Sequence, residues 1–331
     1  MAEILSPVPG LVWRVVTLDD ADALAGLHAA CYAVDGGYLQ VAEEYRTELS
    51  SRDDDLGRDG RVAVTDSGEI AAFGMVHMPG GERTERRAFP WAHVHPDWRR
   101  RGLGTALLRW QEARASERFA EHDDGLPCVI RVSAYETQAD RVGLFERFGY
   151  VPARFFVEML RPLGDPLPDV AGAGVEILPW EEHLSESARL AHNEAFADHW
   201  GSQPVTAHAW ELWHDEFFLE DASFVAADGG RVVGYLSAAM YPHDFESRGR
   251  TEGWIEGLGM VRSHRRRGAA SALLVAAMAA FRERGLEYAA IGVDAENPTG
   301  AFGLYSRLGF VEEKRSITFL KHGRASWAGE G

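Results

Sequence analysis

The sequence predicts an α/β protein of two tandem domains, each a mixed, mostly antiparallel central sheet flanked by helices. Three observations predict it. The chain has 331 residues, more than one hydrophobic core usually serves. One order of elements runs along it twice. Two short stretches, "RRRGLGTALL" at 99–108 and "RRRGAASALL" at 265–274, are near copies of each other.

In the first half, 61–65 and 70–77 read as strands around an Asp-Ser-Gly turn, and an apolar segment ends at Val94. The Arg/Gly turn follows, then a helix over 102–121, a strand over 128–134, a helix, and "FGY" at 148–150. The second half repeats this order. It has "SFVAAD" (223–228), a Gly-Gly turn, "RVVGYLSAAM" (231–240), "WIEGLGMV" (254–261), the second Arg/Gly turn and a helix over 268–284. "YAAIGVD" (288–294), a helix and "LGF" (308–310) complete it. The stretch "RPLGDPLPDVAGAG" (161–174) is rich in Pro and Gly without apolar periodicity, so it reads as a connection. The expected boundaries are an N-terminal domain over 1–163, a linker over 164–174 and a C-terminal domain over 175–331.

Composition narrows the function. With 46% hydrophobic and 26% charged residues the chain reads as globular and soluble. A net charge of −17 argues against nucleic acid and anionic membrane as partners and favours cationic small molecules. Cys31 and Cys128 have no metal-ligand spacing, so reduced structural thiols and no metal are expected. The opening "MAEILSPVPGLVW" lacks a signal-peptide pattern, and no run of about 18 apolar residues occurs. A cytoplasmic location is therefore expected, as a monomer or a homodimer.

The repeated turn has a physical use. A strand ends, the chain turns, and a helix begins at a glycine whose neighbours are small. The first helical turn leaves backbone N–H groups unpaired and carries partial positive charge, which suits a phosphate-type anion. The candidate cradle is Arg265, Arg266, Arg267, Gly268, Ala269, Ala270 and Ser271. The first-half counterpart is Val94, Arg99, Arg100, Arg101, Gly102, Gly104 and Thr105. A solvated basic helix end is the alternative for one copy alone, and two copies in matching contexts favour a ligand. No GxGxxG follows an early strand and no GK[ST] closes a glycine loop, so other phosphate motifs fit less well.

These residues resemble the GNAT (Gcn5-related) N-acetyltransferases. The resemblance lies in the spacing from Val94 to Arg99 and from Met260 to Arg265, the Arg-x-x-Gly-x-Gly/Ala loops, and the later "LFERFGY" (144–150) and "LYSRLGF" (304–310). It covers both halves and implies two tandem GNAT folds, with acetyl-CoA as acyl donor. It further implies that the strand before the loop lies along the pantetheine, through Leu258, Gly259 and Met260, and that Asn297 contacts CoA. On this resemblance Glu256 is the general base and Tyr305 the general acid, and the acceptor is a primary amine of a small molecule. Acyl transfer to an amine needs such a pair: the amine must lose a proton and the departing thiolate benefits from one. Strand alternation places Trp254, Glu256, Leu258 and Met260 on one face. Gly257 and Gly259 suit a bulge or a close backbone approach.

The first half lacks these groups. Pro90 stands where Glu256 stands, Phe145 where Tyr305 stands and Thr137 where Asn297 stands. His93 and His95 flank Val94 on the opposite face and read as structural. Only the C-terminal copy is expected to catalyse; for the N-terminal copy, binding of CoA without catalysis and a purely structural part shaping the acceptor site both stay open.

The segment 192–218 is dense in aromatics. Trp210, Trp213 and Phe217 recur at helical spacing and read as core, whereas Asp198, His199 and Trp200 read as candidates for the acceptor side. "HNEAFADHWGSQPVT" also resembles mycothiol synthase, a two-domain GNAT family. The chain departs from it at the catalytic strand, where Trp254 occupies the place of an expected glutamate. Two other readings stay open: a non-catalytic CoA-binding regulator, and a protein or peptide acetyltransferase.

Overall fold

The computed structural model describes residues 5, 8–51, 53–122, 124–170, 174–296 and 301–323. The first part of the chain forms β1 (Leu11–Val15), α1 (Ala21–Asp35), α2 (Ala42–Leu49), α3 (Leu56–Asp59), β2 (Gly60–Thr65), β3 (Ile70–His77), β4 (Arg86–Val94), α4 (Leu103–Ala120), β5 (Cys128–Tyr135), α5 (Ala139–Arg147) and β6 (Val151–Pro162). The second forms β7 (Glu176–Pro179), α6 (Ser185–Phe196), α7 (Ala207–Leu212), β8 (Phe224–Asp228), β9 (Arg231–Ala239), α8 (Phe245–Arg248), β10 (Glu252–Met260), α9 (Ala269–Glu283), β11 (Tyr288–Asp294), α10 (Ala301–Arg307) and β12 (Val311–Gly323).

Two compact units result: Met1–Ala153 with Ser316–Gly331, and Arg154–Arg315. The sheet of the first runs β1-β2-β3-β4-β5-β12, and that of the second runs β7-β8-β9-β10-β11-β6. Among the described residues each sheet has one parallel pair, between its fourth and fifth strands, β4 with β5 and β10 with β11. This is the mixed sheet that the element order predicts.

The units differ from the boundaries read from the sequence, because the last strand of each repeat is built into the other unit's sheet. β6 pairs antiparallel with β11 from Pro162 opposite Tyr288 to Phe156 opposite Asp294. β12 pairs with β5 from Ser316 opposite Tyr135 to Gly323 opposite Cys128. The start of the supposed connection is consequently core. Arg161 is buried and donates to the carbonyls of Leu308 (2.6 Å), Pro162 (3.1 Å) and Pro166 (2.9 Å). Leu163 is fully buried, with its N–H on the Glu287 carbonyl at 2.8 Å.

Each sheet is covered on both faces, so β3 and β9 are apolar along most of their length rather than alternating. On β3, Phe73 and Met75 pack with Leu24, Leu27 and Tyr45 of α1 and α2, while Ala72 packs with Leu107 and Trp110 of α4. In the second unit, Leu273, Leu274, Ala277, Met278 and Phe281 of α9 join Leu236, Ala238 and Ile255 in one core. Among the described residues, no helix is long and apolar enough to cross a membrane. Both cysteines are free thiols.

Two histidines held in these packed faces give a pH dependence. Burial lowers His28 and His192 from the ordinary value near 6.5 to about 4; the Arg141 charge adds to the effect at His28. The fold thus favours the neutral imidazoles. Their contribution to stability is expected to be level above pH 6.5 and to fall as the pH drops from 6.5 towards 4, where the unfolded chain takes up protons the fold refuses; Glu48, raised by burial to about 7, acts in the opposite sense over the same window. The difference in urea midpoint between wild type and His192→Gln should therefore shrink from pH 7.5 to 4.5, and a constant difference would refute it.

Candidate active site

The second unit's Arg/Gly turn follows β10. Arg266 and Gly268 both have left-handed backbones (φ 61° and 90°), and Gly268 caps α9. The first turn repeats this, with Arg100 at 63° and Gly102 at 84°. A non-glycine residue seldom adopts this conformation. Its recurrence shows that the turn geometry, and not only the sequence, is duplicated. The first bond within α9 runs from the Ala272 N–H to the Gly268 carbonyl (3.0 Å), leaving the N–H groups of Ala269, Ala270 and Ser271 outside the ladder. In α4 the corresponding bond is Ala106 to Gly102 (2.9 Å), which leaves those of Leu103, Gly104 and Thr105.

The first arginine of each turn braces it. Arg265 donates from Nε to the Met260 carbonyl (3.1 Å) and from Nη2 to the Ala195 carbonyl (2.5 Å). Arg99 donates from Nε to Val94 (3.1 Å) and holds Asp35 through both terminal nitrogens at 2.7 Å. Arg266, Arg267 and Gly268 are exposed, as are Arg101 and Gly102. Arg100 pairs with Asp140 of α5 at 2.8 Å, and Arg101 lies over the Trp98 ring at 4.4 Å.

β10 is open along one edge. Its parallel pairing with β11 ends at Ile255 opposite Ile291, while β11 continues with β6 to Asp294. The Val261 N–H bonds the Val233 carbonyl of the next strand at 2.9 Å. Backbone groups alternate edges along a strand. Leu258 and Met260 therefore turn their N–H groups to the open edge, and the Met260 carbonyl is held by Arg265. An N–H cradle beside the exposed Arg266 and Arg267, at the end of an open strand edge, fits a phosphate-bearing donor with an extended arm.

Glu256 sits at a bulge. Ile255 pairs with Ala238 and Gly257 with Ser237, so Glu256 has no partner on β9. The bulge breaks the alternation read from the sequence. Trp254 lies opposite Ala239, on the face of Gly257 and Gly259, whereas Leu258 and Met260 share the face of Ile255. Trp254 packs under the Arg248 guanidinium (5.4 Å) and donates to Glu252 at 3.2 Å.

The Glu256 side chain retains solvent exposure yet is crowded by protein, as a group in a cleft is. That crowding, with the nearby negative charge of Asp215, holds its carboxyl above the usual range. The Tyr241 hydroxyl opposes the shift by donating to Oε1 at 3.1 Å. Tyr241, Phe217 and His243 form a ring cluster, with centroids 5.3–5.9 Å apart. Tyr305 is buried, which pushes its phenol up to about 12, and its ring meets Phe310 edge-on at 6.0 Å. Asn297 lies outside the described residues.

The two strand glycines make room for Tyr235 of β9. A Cβ on Gly257 would lie 2.9 Å from its hydroxyl, and one on Gly259 would lie 2.6 Å from its ring. The Tyr235 hydroxyl bonds His192 Nδ1 at 2.7 Å. Gly259→Ala is expected to cost about 1–3 kcal/mol by overpacking against Tyr235 and Phe196. A denaturant midpoint equal to that of the unchanged chain would refute it.

The first unit has filled the corresponding space. Trp91 and His93 stand where Gly257 and Gly259 stand. Trp91 stacks on Tyr45 (5.6 Å) and His93 lies against His28 (4.3 Å). Burial depresses His93 well below its usual range, and His95 Nδ1 accepts from the Asp97 N–H at 3.3 Å, so both are structural. Pro90 pairs in regular register with Val76, with no bulge, and Phe145 is core.

Of the acceptor-side candidates, Asp198 pairs with Arg262, and Trp200 lies under the Arg154 guanidinium at 4.8 Å. Trp210 is core as expected, Phe217 is half-buried in the ring cluster, and Trp213 is 54% exposed, past the end of the short α7. The helical period did not run far enough to bury it. Tyr241, Asp215, Tyr235 and His192 were not singled out from the sequence. Only the aromatic density of 192–218 pointed towards them, and it spans only His192 and Asp215.

Comparison with known proteins agrees in both halves. A model described as "Acetyltransferase (GNAT) family" matches residues 185–310, and one described as "Acetyltransferase (GNAT) domain" matches 58–152. A protein named mycothiol acetyltransferase from Parafrankia sp. (strain EAN1pec) is 30% identical, over 95% of this chain and 99% of its own. One of the same name from Geodermatophilus obscurus is 30% identical over 94% and 98%. A solved GCN5-related N-acetyltransferase from Sphaerobacter thermophilus superposes with a TM-score of 0.75 at 26% identity, over 96% of this chain and 97% of that one.

Proposed function

The chain belongs to the GNAT acetyltransferase family, and from that premise we propose that its second unit moves the acetyl group to a primary amine of a small, cationic acceptor. It is an acetyl-CoA-dependent acetyltransferase; what is proposed is which copy works, which residues act and what accepts. The observation that carries the reading is Glu256, raised by its surroundings, at a bulge on the strand whose open edge ends in the N–H cradle.

When bound, acetyl-CoA supplies an acetyl thioester. The N–H groups of Ala269, Ala270 and Ser271, with the exposed Arg266 and Arg267, hold its phosphates. The N–H groups of Leu258 and Met260 orient the arm and favour negative charge on the carbonyl oxygen. Glu256 takes a proton from the acceptor ammonium, and Tyr241 steadies the carboxylate that receives it. The freed amine nitrogen forms the new C–N bond as the C–S bond breaks, and the electron pair leaves on sulfur; nitrogen then sheds its second proton to solvent, which leaves the neutral amide. Tyr305 delivers its phenolic proton to that sulfur and regains one from solvent. Glu256 acts as base in its deprotonated form, and a phenol near 12 remains a proton donor. Asp215 and the Tyr241–Phe217–His243 rings suit a cationic acceptor with an apolar body.

Thiol release from acetyl-CoA over a panel of amines tests this. It should include monoamines, aminosugars and mycothiol lacking its acetyl group, because the relatives are named mycothiol acetyltransferase. Amine-dependent release is expected, with N-acetylated product in equal amount. Release that ignores the amine, or no release with any amine, would refute the reading.

A further inference from the structure

The two units differ beside the open strand edge. β4 pairs with β5 only from Arg86 to Ala88, so Phe89–Val94 leave an edge open as β10 does. The His95 N–H on the Ala71 carbonyl (2.9 Å) fixes the alternation, and Ala92 and Val94 turn their backbone groups to that edge. There the first unit supplies its own partners. Arg141 reaches in from α5 and donates from Nη2 to the Ala92 carbonyl at 3.0 Å. Cys31 Sγ (3.3 Å) and Arg99 Nε (3.1 Å) both take the Val94 carbonyl.

We infer that Arg141 closes the donor cleft of the first unit, so that the chain binds a single acyl-CoA, in the second. The inference rests on the donor arm lying along the open strand edge, as proposed above. An amide-bearing arm would need the Ala92 carbonyl that Arg141 holds. Expelling the guanidinium would break a charge-assisted bond and leave the carbonyl to be re-paired. Arg141 is half-buried, and its charge also acts on His28, His93 and Cys31. By position relative to the Gly-aromatic pairs, its counterpart in the second unit is Ala301, a residue with no hydrogen-bond donor in its side chain.

Calorimetric titration of acetyl-CoA into the full chain tests this. One site is expected in the wild type and none in Gly268→Glu. Two are expected in Arg141→Ala, and one in the double variant. Acetyl transfer by Arg141→Ala should stay within about twofold of wild type, which also reports that it is folded. In the converse variant, Ala301→Arg, affinity at the one site should drop at least tenfold with an unchanged circular dichroism spectrum. Two sites in the wild type would overturn this inference and leave the proposed function standing. One site in Arg141→Ala together with undiminished binding by Ala301→Arg would do the same. No binding in any form would overturn the donor reading and this inference with it.

Discussion

Glutamine at position 256 is expected to lower kcat by about 10²–10⁴-fold, the range for a positioned general base, with little change in acetyl-CoA affinity. The substitution keeps the side chain's size and its place at the bulge. The hydrogen bond from Tyr241 survives, because an amide oxygen accepts as a carboxylate does. Only the capacity to take a proton is lost. The pH profile isolates that loss. In the wild type, kcat/KM should climb with pH through the raised Glu256 carboxyl, since the base works when deprotonated. In Glu256→Gln that limb should vanish, leaving only the limb set by the amine's own ionisation. A variant with the wild-type profile at a lower level would show that Glu256 acts on structure and not on the proton.

Tyr305→Phe is the second large effect, and a smaller one, about 10²-fold in kcat. A thiol has a pKa of about 8.5, so a thiolate departs tolerably without help. The acid therefore assists less than the base. Burial keeps the phenol protonated to about 12, so the alkaline limb it sets in the wild type should lie at that high pH and disappear in the phenylalanine variant. Little loss of stability should accompany this, because Phe145 already occupies the corresponding core position in the first unit. A rate within twofold of wild type would remove Tyr305 from the mechanism.

Much of this was legible in the sequence because it rests on local rules. The span read for the second strand is that of β3, residues 70–77, and both long helices start at the residue after the expected glycine. The Arg/Gly turns were legible as helix starts because a glycine with small neighbours suits the left-handed cap seen at Gly102 and Gly268. Long-range pairing was not legible. The strands after "FGY" and "LGF" look alike in composition, and nothing local says that each joins the other unit's sheet. The bulge at Glu256 was anticipated in kind from Gly257 and Gly259. Its consequence for Trp254 was not, since one extra residue reverses the face of all that precedes it. Arg141 carried no motif. Its meaning emerges only from the carbonyl it bonds and from the alanine at the matching position.

The central claim, that a duplicated device works in one copy only, is tested most directly by a matched pair of variants. Gly102→Glu and Gly268→Glu place the same carboxylate at the same left-handed helix cap, one in each unit. Amine-dependent thiol release is the readout, with circular dichroism as the check on folding. The account predicts near wild-type turnover in Gly102→Glu and loss of turnover in Gly268→Glu. Equal losses in both, or a loss confined to Gly102→Glu, would contradict it.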